Sequence, residues 1–342
     1  MMEETRTYSY KVAGLTFSVI APEGIDIEAL LPSFKDFRAT SGEMSAPEPH
    51  REMSASEPHR EMSAPEPHRE MSAPEPHREM SAPEPHRELL RLTLQAEPLE
   101  IPSDAKEVET DDNDMGHTRL LMTEDGRYCV ELSDSLDGKV LGMFIANALF
   151  SSVYASIKTN AATAGSILSS MLRIAFAQAV ILREGLSIHA SAVVSDGKAY
   201  LFLGKSGTGK STHARLWLKN IPGSHLLNDD NPAVRLIDGS PVAFGTPWSG
   251  KTPCYRDESA PVGGFVRLRQ GDADIFTEKE DVAAFVALLP SCSVIHSDAN
   301  LQSMLYDTLT RLSERVPVGE LTCLPDDESA IVCHKNIKSI IK

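Results

Sequence analysis

The stretch Gly204-Lys205-Ser206-Gly207-Thr208-Gly209-Lys210-Ser211 follows the apolar run Ala199-Tyr200-Leu201-Phe202-Leu203 and leads into Thr212-His213-Ala214-Arg215-Leu216-Trp217-Leu218. It reads G-x-x-x-x-G-K-[ST] between a strand and a helix, the context in which that pattern binds phosphate. Glycines let the backbone wrap an anion so that successive N–H groups and a helix N-terminus point at it. On this reading residues 204–212 cradle a nucleotide. Lys210 reaches its β- and γ-phosphates, and the Ser211 hydroxyl holds Mg²⁺. A plain glycine turn between strand and helix is the alternative, and the flanks argue against it.

Upstream, Ile188-His189-Ala190-Ser191-Ala192-Val193-Val194 and the strand 199–203 flank Asp196-Gly197, a two-residue hairpin turn. That turn sets Ser195 opposite Lys198 and, by extension, His189 opposite Gly204. Downstream, His225-Leu226-Leu227-Asn228 runs into Asp229-Asp230. A short strand ending in acidic residues after such a loop is where Mg²⁺ and a nucleophile are managed, although Asp-Asp-Asn-Pro is also good turn chemistry. A hairpin around Asp238-Gly239 then delivers the loop Gly245 to Thr252, in which Trp248 and Lys251 offer a flat apolar surface and a cation.

The chain has 342 residues, enough for two cores, and a formal charge of −16, which argues against a nucleic-acid backbone as partner. Five cysteines stand without CxxC spacing and suit a reducing compartment. The acidic N-terminus has no apolar leader segment, and the apolar run Val140 to Ala155 is interrupted and too short to span a bilayer. The expectation is a cytoplasmic protein with no membrane partner.

Alternating strands are expected at 8–12 and 15–19 around Ala13-Gly14, then at 89–94, 118–123, 127–132 and 139–145, with a short helix at 25–31. They suggest a small antiparallel β domain whose motifs carry no identifiable chemistry. Residues 43–87 are five tandem copies of EMSAPEPHR, with Ser56 in place of one Pro. Dominated by Pro, Glu and Ser, a copy buries too little to offset ordering entropy and reads as a disordered insert. Its histidines lack a second ligand at chelating spacing.

Apolar positions from Ile167 to Leu182 recur at helical spacing, with Gly185 as a cap, and suggest a helix packed on the second domain's sheet. Beyond residue 260 a strand at 264–269, helices at 278–289 and 300–315, a strand at 320–324 and a helix opened by Asp326 or Asp327 complete an α/β pattern. His296 and His334 belong to no constellation there.

Together, His189-Ala-Ser-Ala, Gly204 to Ser211 and Leu227-Asn228-Asp229-Asp230 resemble the catalytic domain of HPr kinase/phosphorylase, whose fold is shared with phosphoenolpyruvate carboxykinases. The resemblance covers about 185–270 and extends to the uncharacterised bacterial HPr-kinase-like group. It implies an α/β P-loop kinase domain over 156–342, beside an N-terminal β-rich domain of 1–42 and 88–155 and the repeat at 43–87. It implies ATP and Mg²⁺, with Asp229 as the base for the acceptor hydroxyl, Asp230 and Ser211 at the metal, and His189 as a helper beside Asp229. It also suggests a homo-oligomer.

The family's Glu-x-Arg-Gly-Leu-Gly loop is absent, its place taken by 245–252, and Thr212 stands where that family has Glu. The acceptor therefore stays open among protein, peptide and small-molecule hydroxyls. A carboxykinase-type lyase would need further cations, for which Lys251, Arg256 and Arg235 stand available. A nucleotide-binding module without turnover would need only the cradle.

Overall fold

In this computed structural model the residues described are 4–39, 88–113, 116–136, 138–157, 163–250 and 252–340. The nonapeptide repeat and Lys251 lie outside them.

The first sheet starts from a hairpin, β1 (Thr5–Val12) and β2 (Leu15–Pro22), closed at Ala13-Gly14 with φ of 52° and 75°. After the short helix α1 (Ile27–Leu30) and a 3-10 turn come β3 (Leu90–Leu94), β4 (Lys106–Asn113), β5 (Gly116–Met122), β6 (Tyr128–Ser133), β7 (Val140–Ala146) and β8 (Ser152–Ile157). The order across the sheet is β1-β2-β3-β8-β7-β6-β5-β4. The sheet is mixed rather than antiparallel, because β3 runs parallel to both β2 and β8. A strand reached through a long connection is free of the hairpin constraint that forces antiparallel pairing. The chain on either side of that connection is pinned: Arg38 bridges to Tyr10, Ala39 N donates to Ser9 O at 3.0 Å, and Leu89 N donates to Thr16 O at 2.8 Å.

Helix α2 (Ala164–Ala179) packs on β3, β7 and β8 of the first sheet, and its residues share one core with Ala192 and Leu201 of the second. A 3-10 turn extends it to Arg183, and the left-handed residue that stops it is Glu184, φ 51°, one before the expected glycine. The whole stretch Ala164–Arg183 is long and apolar enough to span a membrane, and it is mostly buried in the protein.

The second sheet comprises β9 (Gly185–Ser187), β10 (Ala190–Ser195), β11 (Lys198–Leu203), β12 (His225–Asp230), β13 (Ala233–Ile237), β14 (Ser240–Phe244), β15 (Ser259–Gln270), β16 (Ile275–Lys279) and β17 (Val318–Cys323). Its helices are α3 (Lys210–Asn220), α4 (Asp281–Leu288), α5 (Ala299–Arg315) and α6 (Asp327–Ser339), the last capped by Asp326 accepting from Ser329 N. The order runs β12-β10-β11-β15-β14-β13-β9, with β17 joining β15 to β16. The β10–β11 register places Ala190 opposite Leu203 and Ser195 opposite Lys198, as the Asp196-Gly197 turn requires.

β10 is buried along its whole length and β11 at all but its first residue. Their alternate side chains feed two cores. Ala192, Val194, Leu201 and Leu203 join the large core shared with the first sheet, while Val193, Tyr200 and Phe202 join Trp217 of α3 and Ile337 of α6. Burial on both faces explains the unbroken apolar runs of the sequence. The result is a mixed α/β protein with two large sheets.

Candidate phosphate-binding site

The turn between β11 and α3 needs its glycines: Gly204, Gly207 and Gly209 have φ of 154°, 79° and 108°. At Gly204 a Cβ would also come within 3.1 Å of the Thr208 side chain. Gly209 then opens α3, whose first internal bond is His213 N to Gly209 O at 2.8 Å. The N–H groups of Lys210, Ser211 and Thr212 therefore have no partner within the helix. Gln270, at the end of β15, steadies the loop by donating to Gly207 O at 3.3 Å.

Lys210 is buried, and its Nζ donates to Gly204 O at 3.0 Å and Lys205 O at 3.4 Å. Burial pushes this ammonium down from its ordinary pKa, against the pull of Asp230 and Asp229. The lysine lies folded into the loop it serves, with those two carboxylates as its charge partners.

The aspartates come from β12, which pairs with β10 so that Ser191 faces Asp229 and Ala190 faces Asp230. Neighbours on a strand point to opposite faces, and here their surroundings differ sharply. Asp229 is 2% exposed; one carboxylate oxygen accepts from Ser191 Oγ, and the other is buried without a hydrogen-bond partner. Asp230 opens into a cavity, with His189 Nε2 at 3.4 Å and Arg173 Nη1 at 4.0 Å from its oxygens. His189 thus pairs with Asp230, the neighbour of the aspartate beside which the family resemblance sets it.

Asp230 also has φ 147°, backbone that side-chain-bearing residues rarely adopt. It is held there by Gly250 N, which donates to Asp229 O, and by a bridge between Asp230 and Ser249. Buried Asn228 fixes the same loop from below, donating to Trp248 O at 2.9 Å and Thr246 O at 3.3 Å and accepting from Asn231 N at 2.8 Å.

A buried carboxylate oxygen without a hydrogen-bond partner, on a residue within electrostatic reach of Lys210 at the start of α3, is chemistry that fits a hard cation such as Mg²⁺. Among the described residues no three His, Cys, Asp or Glu side chains cluster into a protein-only metal cage.

Other expected contributors are placed elsewhere. Trp248 is buried, meets Phe34 edge-on and Phe176 at a tilt, and donates Nε1 to Ser169 O at 3.1 Å, so it is a core residue and no platform for a base. Arg235 donates to Ala13 O at 2.8 Å, and Arg256 lies 3.8 Å from Glu258.

Conversely, the cavity of about 760 Å³ draws on residues that sequence reasoning passed over. Glu109, Asp111 and Asp112 of β4, His117 of β5, Arg173 of α2 and His296 line it together with His189, Ser206 and Asp230. The first sheet therefore supplies part of the cavity lining, and His296 is among the lining residues. Burial pushes the Arg173 guanidinium below its ordinary pKa, with Asp230 and Asp111 pulling it back up. Sequence held one usable signal: Asp112 and His117 flank a tight reversal and pair directly across β4 and β5.

No protein-family model matches the chain, and no curated protein matches it. Among solved structures, the Hpr(Ser) kinase/phosphatase from Coxiella burnetii is similar over 45% of this chain and 94% of that one, at 11% sequence identity and a TM-score of 0.27.

Proposed function

We propose that this chain is a phosphotransferase that moves the γ-phosphoryl group of ATP, bound with Mg²⁺, to a hydroxyl. The observation that carries the reading is the glycine loop with Lys210 folded into it, set beside two aspartates at the end of β12. Phosphoryl transfer asks for positioning and charge, not covalent participation, and this arrangement offers both.

Residues 204–212 hold the phosphates through loop and helix N–H groups, and Lys210 leaves its two loop carbonyls for phosphate oxygen. Ser211 and Asp229 would hold Mg²⁺, the latter through the carboxylate oxygen that has no hydrogen-bond partner, and the ion would supply charge neutralisation at the phosphates. Asp230, open to the cavity, accepts the proton of the attacking hydroxyl, and His189 orients it. The reading exchanges the two aspartate roles that the family resemblance implies, because the cavity-facing carboxylate is Asp230.

The test is a γ-labelled ATP transfer assay, paired with melting in Mg-ATP. Ligand at ~100 times its Kd stabilises a fold by about 2.7 kcal/mol, and Lys210→Ala is expected to lose that rise together with transfer. An undiminished rise in the variant would sink the phosphate-loop assignment.

A further inference from the structure

Helix α2 carries one charge along its whole length. In Ala164–Ala179 the only Asp, Glu, Lys or Arg is Arg173. Its side chain is 23% exposed and lines the cavity beside the phosphate loop, where it is the one arginine or lysine among the described residues. A charge on a helix packed among apolar neighbours costs free energy, and an apolar residue of similar size in its place often leaves a fold as stable or more so. Stability alone gives no reason for an arginine here.

The surroundings of the guanidinium point to a ligand. It carries five N–H donors, and none of them makes a hydrogen bond to a described residue. Its ion pair with Asp230, Nη1 to Oδ2 at 4.0 Å, is too long for one, and Asp111 adds electrostatic attraction only. Lys210 of α3 acts on the same Asp230 carboxylate, so cations from two helices converge on it, and Ser206 of the phosphate loop lies on the same cavity wall. A planar fork of unspent donors, held on a packed helix, matches an anion with several equivalent oxygens.

We infer that Arg173 is a catalytic residue, the cation that binds the γ-phosphoryl group while it is transferred. The inference rests on the phosphotransferase reading, which sets the attacking hydroxyl at Asp230 and so brings the transferring phosphoryl group beside the Arg173 guanidinium. In the step the acceptor oxygen forms a bond to the γ-phosphorus as the bond from that phosphorus to the β–γ bridging oxygen breaks. ADP leaves with the electron pair, and the hydroxyl proton goes to Asp230. Arg173 keeps all its protons and spends its free donors on the equatorial oxygens, where charge builds up. An arginine placed in this way contributes ~10³–10⁵ in rate. Because the residue comes from α2, the helix that packs on the first sheet, that sheet has a part in the chemistry as well as in the cavity lining.

Calorimetry on the full chain with Mg-ADP, alone and with aluminium fluoride as a mimic of the phosphoryl group in flight, separates this role from the rest of the site. The fluoride complex is expected to bind at least about a hundredfold tighter than Mg-ADP alone. Arg173→Met is expected to keep its Mg-ADP affinity within about twofold and to lose most of that hundredfold preference, with Arg173→Lys retaining part of it. Guanidinium ion added in solution is expected to restore part of the preference to Arg173→Met. Without ligand, Arg173→Met is expected to melt no lower than the unaltered chain. An undiminished fluoride preference in Arg173→Met overturns the inference and leaves the phosphotransferase reading standing. So does a variant that melts lower and loses Mg-ADP along with the fluoride complex, since that is a structural arginine. Failure of the unaltered chain to bind Mg-ADP overturns that reading, and the inference with it.

Discussion

The two sheets meet the same solvent in different ways. In the first, strands alternate: β1 and β3 bury every second residue near their ends, and Tyr154 of β8 is 47% exposed. In the second, β10 and β11 are buried on both faces between two cores. The phosphate loop and the paired aspartates hang from these twice-covered strands, whereas the acidic wall of the cavity belongs to β4, an outer strand of the first sheet. The glycine loop thus sits where packing fixes its flanking strands from two sides. The carboxylates that line the cavity from the first sheet sit on a sheet edge, where side chains change at small cost to the fold.

Truncation should reveal this difference most strongly. Trp217, fully buried under β11, contacts Tyr200, Phe202 and His334. Trp217→Ala is expected to cost about 3–5 kcal/mol in chemical denaturation. Tyr154→Ala on the first sheet should stay within about 0.5 kcal/mol, and equal losses would erase the contrast.

Next in size is chemistry. Asp230→Asn should lower transfer by ~10²-fold or more while Mg-nucleotide still raises the melting temperature. Asp229→Asn should instead weaken the Mg²⁺ dependence of nucleotide binding. The reverse outcome would return the two residues to the roles that family resemblance implies.

A pH effect follows from His213 on α3, whose imidazole meets Phe202 edge-on and is pushed down to about 4 by burial. Unfolded, it titrates near 6.5, so the unfolded chain binds the proton more readily and is favoured as pH falls. Stability should be intact above pH 6.5 and decline toward pH 4, by on the order of 3 kcal/mol in all. His213→Gln should flatten that part of the curve, and an unchanged slope would place its origin elsewhere. Smallest of all, removing residues 43–87 should move the melting temperature little, since both flanks keep their own bonds to the first sheet.

Local chemistry was legible in the sequence, and assembled geometry was not. Ala13-Gly14, Asp196-Gly197 and Asp238-Gly239 announce hairpins because a two-residue turn needs positive φ, and all three have it. The phosphate loop is legible for the same reason. β4 escaped because Glu107, Glu109, Asp111 and Asp112 are poor strand formers in isolation, tolerated on an outer strand. β16 escaped as a short, half-exposed strand whose Glu278 and Lys279 read as the start of the next helix. The cavity brings β4 and β5 to residues 173, 189, 230 and 296, and no local spacing encodes such a meeting. Trp248 looked like a binding platform because a Gly- and Pro-rich loop is normally on the surface. Only the packing of Phe34 and Phe176 around it shows otherwise.

The pinned ends on either side of the nonapeptide array bear on how its gene can change. Tandem copies invite slippage during replication, and each slip adds or removes whole units of nine codons in frame. Arg38, Ala39 and Leu89 are tied to their own strands, so such a change falls between two anchored ends. Each copy carries two Glu and one Arg, so every gain or loss shifts the protein's charge by one unit.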